Sequence, residues 1–263
     1  MAAAIAIGLF TCAAAGILAA LPLAPFGELG RFFFILNASL AFLLLCLAAP
    51  YRFSSQGVWS AASILALLAM VLVMAYVAAL LALRGGRSSR GLLVTTAAVA
   101  LATVAADGRA GAGAPGPSWA FGVNAVCASA LLGSVIVGML LGHWYLVRTR
   151  LDVSHLVVFA RFFAAAVLGR AVLFAAGLIG AGAQSELGMG SYLRAAAIDR
   201  GFFFWQRILF GILGPGVFAF MVHETARMRS TQSATGILYI AVIFVMYGEF
   251  LARYLTVAGA GPM

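Results

Sequence analysis

An all-α bundle of about eight membrane-spanning helices is the fold class that the sequence predicts. Three observations predict it. Of 263 residues, 65% are hydrophobic and 9% are charged, against about 25% charged in soluble domains. Mean hydropathy is +1.11, and a fold in water has no surface on which to place so much apolar side chain. The apolar residues also come in continuous runs of about 20, the length of helix that crosses hydrocarbon, rather than in the alternating pattern of barrel strands. Finally, glycine, proline, serine and arginine collect between the runs. No polar block is long enough to fold alone, so residues 1–263 read as one integral membrane domain.

The predicted spans are 3–23, 31–49, 58–83, 92–106, 120–147, 155–180, 202–226 and 234–257. The first lacks the basic start of a signal peptide and reads as a retained span. The second opens on the aromatic cluster "GRFFFILNASL" and carries Asn37, which is expected to bond across helices; its glycosylation pattern lies inside an apolar run and is discounted. It ends at Ala49, which leaves Arg52 in the connection that follows. The fourth run is short and rich in small residues, between the loops "RGGRSSR" and "DGRAGAGAPGPS". The fifth carries a GxxxG, Gly138 and Gly142, a pattern that lets backbones approach. "GILGPG" places Pro215 mid-way along the seventh, where a kink is expected. The stretch from Ala181 to Gly201 is more polar, and its second half reads as a short interfacial helix. Cys12, Cys46 and Cys127 lie within apolar runs, form no CxxC, and read as small buried hydrophobes.

The net charge is +9 and every basic residue is arginine. These arginines are spread over short loops, so their expected partners are lipid headgroups and not nucleic acid. With eight spans the termini share one face with Arg52, Arg109, Arg194, Arg200 and Arg253. The other face takes Arg31, Arg84, Arg87, Arg90, Arg148, Arg150, Arg227 and Arg229. The excess predicts a cytoplasmic second face, with the termini extracytoplasmic, in a bacterial-type inner membrane.

The second face also collects the histidines. At a rise of about 1.5 Å per residue, His143 and His223 lie roughly 6–7 Å inside it, and His155 opens the sixth span there. Trp144, Tyr145, Glu224, Thr231 and Gln232 complete a polar shelf, and ionisable groups within spans default to a functional hypothesis. Three uses remain open. A quinone headgroup needs hydrogen-bond donors, a proton source and an apolar wall, which His143, Tyr145, His155, His223, Glu224 and Gln232 supply. His143 and His223 are on different helices at one depth and are candidates for axial ligands of a b-type haem, although no metal-ligand spacing such as HExxH is present. Otherwise the residues belong to the ordinary interface belt.

Rise per residue places Arg170, Arg207 and Glu249 in the opposite half of the bilayer. A guanidinium in hydrocarbon costs a few kcal/mol, which a neighbouring carboxylate relieves. Glu249 is therefore expected to pair with Arg207 or Arg170, with Gln206 and Tyr247 taking leftover donors. Arg253, one turn beyond Glu249, is a further local partner. Arg161 has Glu224 as its only acidic candidate.

The last span, "GILYIAVIFVMYGEFLARYLTVAG", resembles the closing helix of membrane anchor subunits of the polysulfide and dimethyl-sulfoxide reductase group, through Gly248, Glu249, Arg253 and Tyr254. The resemblance covers about a tenth of the chain. It implies eight spans, exchange of electrons with quinol and an iron–sulfur partner subunit. The expected function is an integral subunit of a respiratory or redox complex, quinone-interacting, with partner subunits carrying the remaining redox chemistry. The alternatives are a transporter or channel for a small solute or proton, for which inverted repeats and broken helices are expected, and a structural assembly subunit.

Overall fold

The structure, a computed structural model, describes residues 2–82, 87–110, 118–148, 151–183, 188–194, 197–198 and 201–257. Arg84, Arg150 and Arg200 lie outside them. The described residues form helices α1 (Ala2–Ala20), α2 (Phe26–Leu29), α3 (Arg31–Gln56), α4 (Ala61–Ala82), α5 (Arg87–Ala110), α6 (Ser118–Val147), α7 (Ser154–Ala183), α8 (Gly188–Arg194), α9 (Gly201–Ile208), α10 (Gly214–Arg227) and α11 (Thr231–Val257). A 3₁₀ turn, Leu21–Leu23, prolongs α1, and a π turn, Leu209–Leu213, joins α9 to α10 in one span. Eight helices are long and apolar enough to cross a membrane. Large apolar side chains such as Phe32, Leu43, Val71, Val172 and Ile243 project outward from them. Hydrocarbon is the solvent that such a surface requires, and the protein is a multi-pass integral membrane protein.

The eight spans fall into two four-helix halves with one repeated plan. In the first, α1 packs on α3 and α5, and α4 closes the ring against the same two helices. In the second, α6 packs on α7 and α11, and α10 closes the ring against those two. Four spans return the chain to its starting side, so the halves run in the same direction and the repeat is parallel, not inverted. The halves meet where α1 crosses α6. Gly16 and Gly133 make that crossing: a Cβ on Gly16 would overlap the Ser129 carbonyl, and one on Gly133 would overlap that of Gly16. Ala13, Ala14, Ala15, Leu132 and Val135 are buried around it. With lipid as apolar as leucine, close backbone approach supplies the packing that a hydrophobic drive cannot.

Several expectations need correction. The second span does not end before Pro50: α3 continues to Gln56 and carries Arg52 into the bundle, where it is 1% exposed. Asp107 belongs to α5 and not to the loop that follows. Asn37 is buried but bonds within its own helix, donating to the Phe33 carbonyl at 2.8 Å. In the GxxxG pattern only Gly142 is tight, since a Cβ there would press on Thr235. In the polar stretch, helix α8 (Gly188–Arg194) runs into the expected second half, of which residues 195–196 and 199–200 lie outside the described ones. The seventh span accommodates Pro215 through the π turn directly before it, the arrangement by which a helix absorbs a missing donor.

Candidate functional site: a charged cavity between the halves

Each half contains a buried clamp between its second and fourth spans. In the first, Arg52 on α3 grips Asp107 on α5 with both terminal nitrogens; the Nη2–Oδ2 distance is 2.6 Å. Nη2 also donates to Thr11 Oγ1 on α1 at 2.8 Å. Gln56 Nε2 reaches the same carboxylate at 3.5 Å. In the second half, Arg170 on α7 grips Glu249 on α11, with Nε to Oε1 at 2.8 Å and Nη2 to Oε2 at 2.9 Å. Its Nη1 donates to Asn124 Oδ1 on α6. The roles correspond: an arginine on the second helix, an acid on the fourth, and a polar group on the first that takes the spare guanidinium donor. Two-point arginine–carboxylate pairing is the strong form of the contact.

The second half departs from the repeat by two further arginines. Arg207, 0% exposed, points inward from α9. Its Nη2 stands 3.8 Å from Glu249 Oε1, and none of its three side-chain nitrogens has a hydrogen-bond partner. Its guanidinium lies 6.0 Å from the Phe174 ring centre. Gly211, one turn on, makes room for it, because a Cβ there would overlap Nη1. Gly248 of α11 then packs against the bare backbone of Gly211, so the π turn, both glycines and Arg207 form one packing unit. Arg253 lies across Gly8 of α1, and its buried Nε has no partner. The equivalent third helix of the first half, α4, carries no charge at all.

A cavity of about 110 Å³ lies between the two clamps. Its lining comes from both halves: Cys12 of α1, Asp107 of α5, Asn124 of α6, Arg170 of α7, and Glu249 and Arg253 of α11. On this measure a water needs roughly 10–15 Å³, so there is room for several, or for one small solute.

Of the two partners expected for Glu249, Arg170 is the one hydrogen-bonded to it, and Arg207 stands 3.8 Å away. Arg253 forms no ion pair with Glu249; it turns to the cavity instead. Gln206 and Tyr247 do not serve the arginines, because Tyr247 donates to Gln206 Oε1 at 2.7 Å on the outer surface.

The three histidines of the shelf make separate contacts. His143 on α6 is exposed and shares a hydrogen bond with Tyr239 of α11 at 3.2 Å. His155 Nε2 lies 2.9 Å from Glu28 Oε2 on α2. His223 sits on α10, across the ring from α6, and its buried Nδ1 has no partner. Tyr145 is buried and donates to the Asp152 carbonyl in the adjacent loop. Glu224 pairs at 3.5 Å with Arg227 of its own helix, not with Arg161, and Gln232 is exposed. Among the described residues no three of His, Cys, Asp and Glu converge as a metal site. Outside the membrane, Asp152 has its carboxyl held below the ordinary value, first by the Ser154 backbone N–H at 2.9 Å.

Sequence reading missed Arg52–Asp107, Thr11, Asn124 and the cavity. The signal available was the pair itself: an arginine and an acid near matching ends of the second and fourth spans, recurring in the sixth and eighth. Compared with known proteins, the chain matches no family model, no curated protein and no solved structure.

Proposed function

We propose that the protein is a transporter or channel that passes a small polar solute, with the cavity between the halves as its binding site. The observation that supports this reading most is the cavity itself: ionised groups from both halves around a space of about 110 Å³. Groups of this kind in a membrane interior mark solute and ion pathways. Parallel four-helix repeats with a site at their junction are one of the arrangements transporters use. The π turn packs through Gly211 on Gly248, next to Glu249 of the site, and such a break in a span permits rocking of one half. Arg52 is buried and Arg253 lines the cavity. Both therefore leave the surface count of the termini end, strengthening the arginine excess at the histidine end. On that basis the histidine end is cytoplasmic and the cavity lies toward the outside of an inner-type membrane.

Flux tests this reading. Proteoliposomes shrunk by an osmotic step in formate, acetate, ammonium or glycerol media should re-swell faster than protein-free vesicles for at least one solute. Equal rates for all of them would end the transport reading.

A second reading, a quinone-linked subunit of a membrane redox complex, is favoured by one observation. His143 and Tyr239 form a hydrogen-bonding pair on the exposed face of α6 and α11, where a lipid-borne headgroup has access. It agrees with the resemblance of the last span to the reductase anchors. Isolation in mild detergent should then bring down an iron–sulfur partner, and His143→Ala should slow quinol oxidation by the complex. A solitary protein with no such companion would remove this reading.

A further inference from the structure

We infer that the solute held between the halves is a small monovalent oxyanion of the carboxylate type; this rests on the cavity being a solute site. The charge pattern around the cavity carries the inference. Both carboxylates are already taken: Arg52 engages both oxygens of Asp107, and Arg170 both oxygens of Glu249. Each carboxylate is therefore already neutralised by an arginine and offers no net negative charge to a cation. The arginines, by contrast, are in excess. Each half has a neutral clamp, and Arg207 and Arg253 are two positive charges beyond them.

Those two arginines are where the repeat fails. Arg207 is fully enclosed, has no hydrogen-bond partner on any nitrogen, and reaches Glu249 only at 3.8 Å. Arg253 lines the cavity, and its Nε is buried and unpartnered. Buried donors without acceptors are costly, and in low dielectric an unbalanced cation is more so. An anion at the cavity wall beside Arg253 supplies both the missing acceptor and the missing charge. Asn124 adds to it: its Oδ1 is committed to Arg170, so its Nδ2 protons are the ones left for a ligand. A guanidinium fork and an amide donor match a planar carboxylate. Arg207, behind Glu249, is a positioning residue that keeps the local potential positive.

The experiment uses the purified full-length protein in detergent. Thermal unfolding is followed while sodium formate is raised at constant ionic strength, with sodium sulfate as the balancing salt. A saturable rise in Tm with formate is expected. In Arg253→Gln the half-saturating formate concentration should rise about tenfold or more, as for loss of one charged hydrogen bond, with partial recovery in Arg253→Lys. Absence of a saturable formate effect in the unaltered protein would overturn the inference whatever the variants do. So would an unchanged formate response in Arg253→Gln. The vesicle assay separates the two ideas. Formate binding without formate entry sinks the transport reading and leaves the anion site. Entry of ammonium or glycerol without formate binding sinks the anion site and leaves transport.

Discussion

The two halves of the bundle share one frame and differ in charge balance. In the half built from α1, α3, α4 and α5, one arginine meets one acid and the set is neutral. In the half built from α6, α7, α9, α10 and α11, three arginines surround one acid. The frame explains why the bundle holds together: each clamp ties the second helix to the fourth, and each first helix supplies a polar group that completes it. The departure from the frame explains where chemistry is to be sought. A structural clamp has no use for Arg207 or Arg253; Arg253 lines the cavity at the junction, and Arg207 stands behind Glu249.

Breaking the acids in turn should show the difference most strongly. Glu249→Gln leaves Arg170 and Arg207 without a carboxylate in the interior, with an expected loss of about 3–5 kcal/mol. Asp107, whose side chain is 10% exposed, pairs with a single arginine that also holds Thr11, so Asp107→Asn should cost less. Denaturant unfolding of both variants in one detergent checks the order; a larger loss for Asp107→Asn would undo the comparison.

The arginines of the second half should then separate by sign. Arg170→Met removes a fully bonded partner and destabilises by about 3 kcal/mol. Arg207→Met removes a buried cation with no hydrogen bonds, and should be neutral or stabilising by about 1–2 kcal/mol. A loss for Arg207→Met equal to that for Arg170→Met would mean that Arg207 is a full member of the clamp.

The histidine end should respond least. His155–Glu28 is a partly exposed pair with side chains 21% and 49% accessible. Glu28→Gln should therefore change stability by less than about 1 kcal/mol. Asp152 gives a pH signature at the same end. Its carboxyl titrates below the ordinary range in the folded protein, so its contribution is present above the unfolded carboxylate pKa and fades as pH falls through the folded one. Amide exchange of the 151–155 turn, followed from neutral to acid pH, should rise in that acid window, and the rise should vanish in Asp152→Asn.

Much of this molecule was legible as a one-dimensional coordinate. Hydropathy gave the eight spans, and counting residues gave depth: Arg170 and Glu249 were placed at one level, and they meet there. Depth alone did not give the partners of the histidines. His143, His155 and His223 do lie near one face by connectivity, yet they point to Tyr239, to Glu28 and into a buried position without a partner. The ends of the apolar runs, at Ala49 and Ala106, hid the first clamp, because both helices continue past them to the charged residues that join them.

The sequence by itself determined that the chain lives in lipid, how many times it crosses, and how deep each polar residue lies, since each follows from transfer energy and a fixed rise per residue. Only the tertiary structure decided which way those residues face. Spans such as α4 are apolar all round, so no polar face orients them in advance; azimuth is set by the glycine crossing of α1 and α6 and by the clamps. Those contacts join residues as far apart as Arg170 and Glu249, and they turned a scatter of arginines into two balanced pairs and two unbalanced charges beside one cavity.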